Sequence, residues 1–384
     1  MQVKKPVARR LAERVYELEQ EKAKGNKIVG YYPSEYMPEE LVLASGMIPF
    51  GLLKAGDYTA ILHSGLVVPR FQDTFCRSQI GYIVMKDPYY MLPDIYVDAW
   101  VHFSAGLVVD NYNFCCPEMD TFRIEVPHRK DEYGFDFYLK RLYRFKDKLE
   151  EVSGNKLTEE GLREAITLCN RERELLKEIA LMRKGERVPM SGLEFMTLNH
   201  ATYVLDKGFM VEFLEEVSEG LKKKKLEEIP IKKPRILLTG SALGMGDYQI
   251  YELVEEFGGE VVIEQFSEAE KDYWDNVDSD GNLDKLMYNI AERYFLKKAC
   301  NFAFRPSTDR RDFIIELAKD FKVDGIIWYQ PMYQDNADYD YMVFSKRVEE
   351  RTKIPVTKIY TEYDSSERAI LFTRIETFLK IVSR

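Results

Sequence analysis

The sequence predicts an α/β protein with two doubly wound parallel sheets of the Rossmann or flavodoxin-like kind, a helical N-terminus and a helical connecting region. Two observations support this prediction. Residues 27–52 follow a strand, helix and strand pattern within about 25 residues, which is typical of a βαβ unit and implies a parallel sheet. The same alternation returns in residues 235–384, whereas residues 131–226 show helical patterns alone.

The N-terminal part predicts a helix followed by a first α/β domain. Apolar residues on one face of residues 7–24 favour a helix, which ends at Gly25. Pro38 at a first-turn position, followed by two glutamates, starts a helix between two strands. The strands predicted for this sheet cover residues 27–32, 47–52, 106–110 and 122–126. We therefore expect an N-terminal helix in residues 1–26 and a first domain in residues 27–155.

Residues 156–230 are predicted to form a helical connector. The helices expected in and before it cover residues 131–152, 158–183 and 208–226. The last of them ends in a run of lysines, residues 222–225, which indicates a solvated cationic helix end, with an anion-binding patch as the alternative. Proline and lysine cluster in residues 230–234, the candidate linker.

The second domain is predicted to cover residues 231–384 and to alternate strands with helices. Its strands are expected at residues 235–240, 260–264, 324–329 and 355–360. Its helices are expected at residues 247–257, 283–297, 309–321, 338–351 and 365–382. This alternation predicts a second doubly wound sheet.

Composition and charge argue against several classes of protein. A net charge of −10 argues against a nucleic-acid-binding surface, and no apolar run approaches the roughly 20 residues of a membrane span. Residues 1–6 carry basic side chains with no apolar stretch after them, so no secretory signal is expected. Five widely spaced cysteines fit a reducing cytoplasm. The four histidines form no i, i+4 pair, so no histidine-based zinc site is predicted.

The cysteines are the main candidates for chemistry. Cys76 follows an apolar run at a distance, and the pair Cys115 and Cys116 comes soon after the predicted strand 106–110. A thiol just past a strand end would lie at the rim of a sheet, where α/β proteins place their sites. The alternative is that these thiols are small apolar groups in a core, which is also what we expect of Cys169 within its predicted helix.

A glycine-rich loop, residues 240–246, lies between a predicted strand and a predicted helix, where phosphates bind. It matches neither the dinucleotide fingerprint nor the P-loop, so neither NAD nor flavin is predicted. Gly240, Ser241 and Gly244 are candidate contacts to a phosphate or to coenzyme A. The alternative is that the glycines only allow a tight turn.

Aromatic residues crowd the segment between the cysteines. They are Tyr82, Tyr89, Tyr90, Tyr96, Trp100 and Phe103. They could exclude water from a site or form an interface with a partner protein, and the sequence favours neither. Glu39 and Glu40 could serve a substrate, but acidic residues at a helix start are explained equally by the helix dipole.

The order of several short motifs resembles the 2-hydroxyacyl-CoA dehydratase and benzoyl-CoA reductase family of iron–sulfur proteins, as its D-component type. The opening βαβ unit carries Tyr31-Tyr32, Pro38-Glu39-Glu40 and Gly46 at matching places. Further matching segments lie in the same order at residues 76–78, 107–109, 238–240, 323–327, 354–356 and 373–378. The resemblance therefore covers nearly the whole chain.

The resemblance implies a cytoplasmic, oxygen-sensitive subunit that pairs with a homologous second subunit. Such complexes hold [4Fe–4S] or double-cubane clusters on thiolates, which suit iron at low potential. A separate ATP-hydrolysing iron–sulfur activator supplies electrons, which reduce an acyl-CoA thioester. Dehydratases of this family then expel a hydroxyl group through a ketyl radical, and the reductases reduce an aromatic ring.

The same resemblance implies ligands residue by residue. Cys76 matches the first cluster cysteine, and Cys115 or Cys116 the second. The third position holds Gln334, whose amide is a poor iron ligand. Cys116 or Cys300 could fill the gap, the cluster could have another ligation, or this chain could carry no cluster.

Two further positions of the resemblance also lack a thiol. Pro33 and Ser241 stand where some relatives have cysteine, so the neighbouring clusters of those relatives are not expected here. Two alternatives therefore accompany the iron–sulfur hypothesis. The chain could be a cluster-poor structural partner in such a complex, or a CoA- or nucleotide-binding protein without redox chemistry.

Overall fold

A computed structural model describes residues 4–32, 36–224, 233–296 and 307–383. The described strands are β1 Ile28–Tyr31, β2 Ile48–Gly51, β3 Ile95–Trp100, β4 Asp120–Glu125, β5 Arg235–Gly240, β6 Glu260–Gln265, β7 Gly325–Pro331 and β8 Val356–Thr361. The helices as far as the second sheet are α1 Lys4–Ala23, α2 Glu39–Ala44, α3 Tyr58–Ser64, α4 Thr74–Val84, α5 Pro88–Met91, α6 Phe103–Cys115, α7 Glu132–Ser153, α8 Glu159–Met182, α9 Gly192–Thr202 and α10 Lys207–Lys223. Those that follow are α11 Gln249–Glu256, α12 Glu270–Tyr273, α13 Leu283–Leu296, α14 Thr308–Asp320, α15 Asp335–Thr352 and α16 Arg368–Val382.

The strands form two separate four-stranded sheets, and every strand pair is parallel. The first sheet has the order β2-β1-β3-β4 and the second β6-β5-β7-β8. In both sheets the chain starts at an inner strand, crosses to one side and then returns to the other, which is doubly wound topology. The predicted fold class is therefore confirmed. None of the helices in the described ranges is long and apolar enough to cross a membrane.

One strand prediction was wrong, and it changes the position of two cysteines. Residues 106–110 lie inside helix α6, and the strand that pairs with β1 and β4 is β3. A short apolar run such as Leu107-Val108-Val109 fits a helix as well as a strand. The side chain of His102 accepts a hydrogen bond from the backbone N–H of Ala105 and caps the start of α6. Cys115 is therefore the last residue of a helix and Cys116 comes directly after it, so neither follows a strand.

The connecting region has its own helical core. Side chains of α8, α9 and α10 pack together there with Val7 of α1. Helix α8 begins where the predicted helix 158–183 does, and Thr158 caps it by accepting a hydrogen bond from Gly161 N–H. Helix α9 was not predicted, although Ser191 and Glu194 form a capping box at its start. Lys222 and Lys223 are the last residues of α10, and Lys224 is its C-cap. Residues 225–232, which include the last lysine of the run and most of the candidate linker, lie outside the described residues. The domain boundaries remain predictions.

The carboxyl ends of the two sheets lie against each other. The glycine-rich loop after β5 pairs with the segment that follows β2, because Met245 N–H donates to Leu53 O at 2.7 Å and Ala55 N–H donates to Met245 O at 2.8 Å. The first residue of α4, Thr74, donates its N–H to Met332 O, just past β7, at 3.1 Å. Ligand sites in α/β sheets lie outside the carboxyl ends of the strands, so this junction is where a site is expected.

Candidate metal centre

Helix α4 begins at the junction between the sheets and brings Cys76 to it. Asp73 caps the helix, with Oδ1 accepting from Phe75 N–H at 2.8 Å and from Cys76 N–H at 3.1 Å. This cap is possible because an aspartate before the first helical residue can satisfy the free N–H groups of the first turn. The thiol of Cys76 is consequently fixed in the first turn of α4, fully buried.

Three potential ligands converge there. One ligand atom each from Asp73, Cys76 and His102 lies within 4.8 Å of the others. His102 comes two residues after the end of β3, and its Nδ1 accepts a long hydrogen bond from Ala105 N–H at 3.4 Å. The strand end therefore supplies an imidazole at the place where the sequence predicted a thiol.

Gln334, the predicted third ligand position, also reaches this group. It follows β7, and its Nε2 donates to Asp73 Oδ2 at 2.6 Å. Gln334 Oε1 is buried without a hydrogen-bond partner among the described residues. On the other side, the hydroxyl of Tyr32 lies 3.5 Å from Cys76 Sγ. The first and third predicted positions, Cys76 and Gln334, are thus brought together.

The electrostatics of the group disfavour anions in the absence of a cation. Burial, reinforced by the carboxylate of Asp73, raises the pKa of the Cys76 thiol well above its usual value of 9.0. Burial also raises the pKa of Asp73. The neighbouring His102 and the hydrogen bonds that Asp73 accepts oppose that rise. A bound divalent cation would offset both effects, because it is the largest local charge in such a site.

Cys115 and Cys116 do not join this group. The thiol of Cys116 contacts Lys86 Nζ at 3.0 Å and Met91 Sδ at 3.8 Å. Cys76 lies in the first turn of α4, and Lys86 comes just after the other end of that helix. At the helical rise per residue, the two residues are about 15 Å apart. Cys300 lies outside the described residues, and Cys169 is buried within α8.

The donor set therefore differs from that of the predicted iron–sulfur cluster. A [4Fe–4S] or double-cubane cluster is held mainly by several thiolates. Within the described ranges, the group at the junction contains one thiol, one imidazole and one carboxyl group. These residues do not fit an all-thiolate cluster, and they suit a single borderline metal ion.

The glycine-rich loop is buried by packing between the sheets. A Cβ atom on Gly240 would lie 1.8 Å from Tyr329 O, and one on Gly244 would lie 2.4 Å from Ala55 Cβ. Close approach of neighbouring groups is therefore one sufficient reason for these glycines. Ser241 Oγ is buried, without a hydrogen-bond partner in the described part of the chain. The CoA or phosphate contact of Gly240, Ser241 and Gly244 remains a prediction.

The aromatic segment divides into a buried part and an exposed part. Tyr82, Tyr89, Tyr90 and Tyr96 lie in the buried core that includes the strands of the first sheet. Trp100 is 39% exposed and Phe103 is 69% exposed. These two line a cavity of about 770 Å³ that also includes His102. A second cavity, of about 320 Å³, is lined by Asp73, His102 and Gln334. Two of the three potential metal ligands therefore face this cavity.

Asp73 and His102 were not predicted from the sequence as site residues. Asp73 carries a weak signal, since it precedes a helix start and sits three residues before Cys76. His102 carries none until β3 is placed correctly, because its partners lie far away in the sequence. Histidine pairs at i, i+4 spacing lie on one helix, whereas this group is assembled from two different elements.

Comparison with known proteins confirms the family resemblance. A family model described as 2-hydroxyglutaryl-CoA dehydratase, D-component, matches residues 35–382. The (R)-phenyllactyl-CoA dehydratase beta subunit of Clostridium sporogenes is 26% identical over 92% of this chain and 91% of its own. A putative dehydratase subunit of Escherichia coli K12 is 23% identical over 94% and 93%, and a benzoyl-CoA reductase subunit of Thauera aromatica 22% over 86% and 84%. The chain belongs to the 2-hydroxyglutaryl-CoA dehydratase D-component family.

Proposed function

We propose that this chain is one subunit of a heteromeric cytoplasmic enzyme that dehydrates a 2-hydroxyacyl-CoA or reduces a benzoyl-CoA-type thioester. The family match along nearly the whole chain supports the proposal, as do relatives named as subunits of such enzymes. The partner is a homologous second subunit, and an ATP-hydrolysing iron–sulfur activator supplies the electrons.

Within that complex, we propose that this chain is the cluster-poor subunit. The observation that carries this proposal is the residue set at the sheet junction, where Cys76 is, among the described residues, the one thiol beside His102 and Gln334. A chain with one thiolate at this place lacks the ligands for a cubane, unless Cys300 contributes another. The cluster and the contacts with the activator are then assigned to the homologous partner.

The exposed aromatic surface beside the junction is the proposed contact with that partner. Phe71, Phe103 and Tyr133 are 75%, 69% and 85% exposed, and Trp100 lines the same cavity as Phe103 and Tyr133. Large exposed aromatic side chains in one patch are typical of protein interfaces.

The cavity of about 770 Å³ has the size of a small-molecule site, so it is the proposed place for the acyl group.

Co-expression with the homologous subunit tests this function. We expect the two chains to co-purify and to dehydrate or reduce an acyl-CoA only when both chains, the activator and ATP are present. Iron and acid-labile sulfide, measured on the separated chains, should be found on the partner. About four iron atoms with sulfide on this chain would contradict the cluster-poor assignment.

A matched pair of variants tests the interface. Phe103→Asp combined with Tyr133→Asp should weaken association at least tenfold in size-exclusion or calorimetric measurements. Both positions lie in the first turn of a helix, where an aspartate is favourable, so the fold should tolerate the changes. Ile370→Asp, at an apolar residue of α16 that is 62% exposed, is the control and should not alter association. Unchanged association of the double variant would show that the aromatic surface is not the interface.

A further inference from the structure

We propose that Asp73, Cys76 and His102 bind one divalent transition-metal ion, with Zn²⁺ as the best chemical match. This inference goes beyond the proposed function, because it concerns the isolated chain and needs neither the homologous partner nor an iron–sulfur cluster. It assigns a mononuclear site to the junction where the two sheets meet.

The donor atoms and their spacing suit such an ion. Zn²⁺ is bound by thiolate sulfur, imidazole nitrogen and carboxylate oxygen, and sites with three protein ligands keep a fourth position open. Bonds from Zn²⁺ to these atoms are about 2.0–2.3 Å long, so neighbouring ligand atoms in a tetrahedron lie about 3.3–3.8 Å apart. The three ligand atoms lie within 4.8 Å of one another, so small side-chain movements are enough to close the site.

Buried polar atoms around the group are a second, independent indication of a ligand. Tyr363 is 7% exposed, its hydroxyl has no hydrogen-bond partner among the described residues, and burial, together with the carboxylates of Asp247 and Asp73, raises its pKa well above the usual value. Gln334 Oε1 is likewise buried and unpartnered in the described part of the chain. Buried polar groups are normally hydrogen-bonded, so these two atoms can pair with a bound species in their neighbourhood. A metal ion carrying a water molecule in its fourth position supplies one.

The neighbours of the ligands also suit a metal site. Gln334 Nε2 donates to Asp73 Oδ2 at 2.6 Å, which orients the carboxylate. Outer hydrogen bonds of this kind fix ligand orientation, and their loss costs about 10–100-fold in metal affinity. The cavity of about 320 Å³ that Asp73, His102 and Gln334 line gives the fourth position access to water or to a substrate oxygen.

Metal analysis of the isolated full chain tests the proposal. The chain is purified without oxygen, dialysed against Zn²⁺, and then freed of loosely bound metal. We expect about one Zn²⁺ per chain without acid-labile sulfide, and replacement by Co²⁺ should produce a thiolate-to-cobalt charge-transfer band. Cys76→Ser should remove that band and lower Zn²⁺ affinity at least tenfold.

His102→Asn is a second variant that preserves the fold, because asparagine is a good helix N-cap and keeps the cap of α6. It should lower Zn²⁺ affinity as Cys76→Ser does, while Gln334→Ala should lower it about 10–100-fold. Cys115→Ser, at the end of α6 and remote from the junction, is the control and should leave the metal content unchanged. Circular dichroism confirms that each variant is folded.

Three results would overturn the proposal: no Zn²⁺ on the folded wild-type chain, full Zn²⁺ content in both Cys76→Ser and His102→Asn, or several iron atoms with labile sulfide. The first two leave the proposed function intact, since they concern this ion alone. Failure of the chain to associate with a homologous subunit would instead remove the proposed function and leave the metal site standing.

Discussion

At the residue scale, His200 links α9 to the glycine-rich loop. Its ring is fully buried, with Nδ1 2.8 Å from the hydroxyl of Tyr248 and Nε2 2.9 Å from Leu243 O. Because Leu243 O can only accept, Nε2 carries the proton and Nδ1 accepts from Tyr248. Burial lowers the pKa of His200 from 6.5 to about 3, and the hydrogen bond to Leu243 opposes that change only in part. The folded protein therefore holds this imidazole neutral.

This burial predicts a specific loss of stability in acid. The unfolded chain binds a proton at His200 near pH 6.5 and the folded chain only near pH 3, so the unfolded state gains protons between these values. Protonation of His200 therefore costs no stability above about pH 6.5, and below that pH it lowers the free energy of unfolding by about 1.4 kcal/mol per pH unit. In His200→Gln, urea unfolding across pH 4–7 should show a shallower pH dependence than the wild type by that amount. Parallel curves for the two proteins would refute the prediction.

The metal group shows what individual residues reveal without a structure. Cys76 could be singled out because a cysteine after an apolar run is a recognisable signal. Gln334 could be singled out only through the resemblance, as a departure from its pattern. Asp73 and His102 could not, since their proximity depends on how α4 and β3 meet in space. Sequence spacing carries no information on a contact between two different elements of the fold.

At the element scale, α4 is positioned by its contact with α3. Gly81 of α4 faces the backbone of α3, and a Cβ atom there would lie 1.8 Å from Ala60 O. Backbone atoms cannot move aside as a flexible side chain can, so only glycine allows the two helices to approach this closely. The same helix carries Cys76 in its first turn. The position of the candidate metal ligand therefore depends on a glycine about one and a half turns away.

Replacing that glycine should destabilise the protein. We expect Gly81→Ala to lower the free energy of unfolding by at least about 2 kcal/mol, because overpacking against rigid neighbours costs more than the alanine gains in helix propensity. Gly161→Ala in α8 is the matched control, since its Cβ would meet a movable side-chain atom, Thr158 Oγ1, at 3.1 Å. The control should stay within about 1 kcal/mol of the wild type in denaturant unfolding. Equal effects of both substitutions would show that the α3–α4 contact is not limiting.

A clear start signal helped to place some elements but was not sufficient, since α9 was missed despite its capping box. Helix α8 was placed correctly because Thr158 and the acidic residues after it mark its first turn. Strand β3 was missed because Asp98, fully buried and without a hydrogen-bond partner among the described residues, interrupts its apolar pattern. Burial raises the pKa of Asp98 to about 7, because the buried site favours the neutral form of the carboxyl group. A buried acidic residue of this kind defeats pattern-based assignment of a strand.

At the scale of the whole molecule, buried ion pairs join helices from different parts of the chain. Arg173 Nη2 of α8 lies 2.7 Å from Glu40 Oε1 of α2, and the hydroxyl of Tyr294 of α13 donates to Glu40 Oε2 at 2.9 Å. Close by, Lys207 Nζ of α10 lies 2.6 Å from both Glu39 Oε2 and Glu172 Oε2. Glu39 and Glu40, for which a substrate role or helix-start electrostatics had been considered, thus connect α2 to helices α8, α10 and α13.

The pair of Glu40 and Arg173 gives the last prediction. Both side chains are almost completely buried, so removing one partner leaves an uncompensated charge. We expect Arg173→Met to lower the free energy of unfolding by about 3–5 kcal/mol, and the double variant with Glu40→Leu to recover most of that loss. Denaturant unfolding followed by circular dichroism measures both.

The control for this cycle lies on the same helix. Arg171 of α8 pairs with Glu215 at 2.7 Å, but both side chains are about half exposed. Arg171→Met should therefore cost no more than about 1 kcal/mol, because water screens an exposed pair. If Arg173→Met were as mild as this control, the buried pair would not stabilise the contact between α2 and α8. If the double variant were no more stable than Arg173→Met alone, losing the hydrogen bond from Tyr294 to Glu40 would cost at least as much free energy of unfolding as removing the unpaired carboxylate gains.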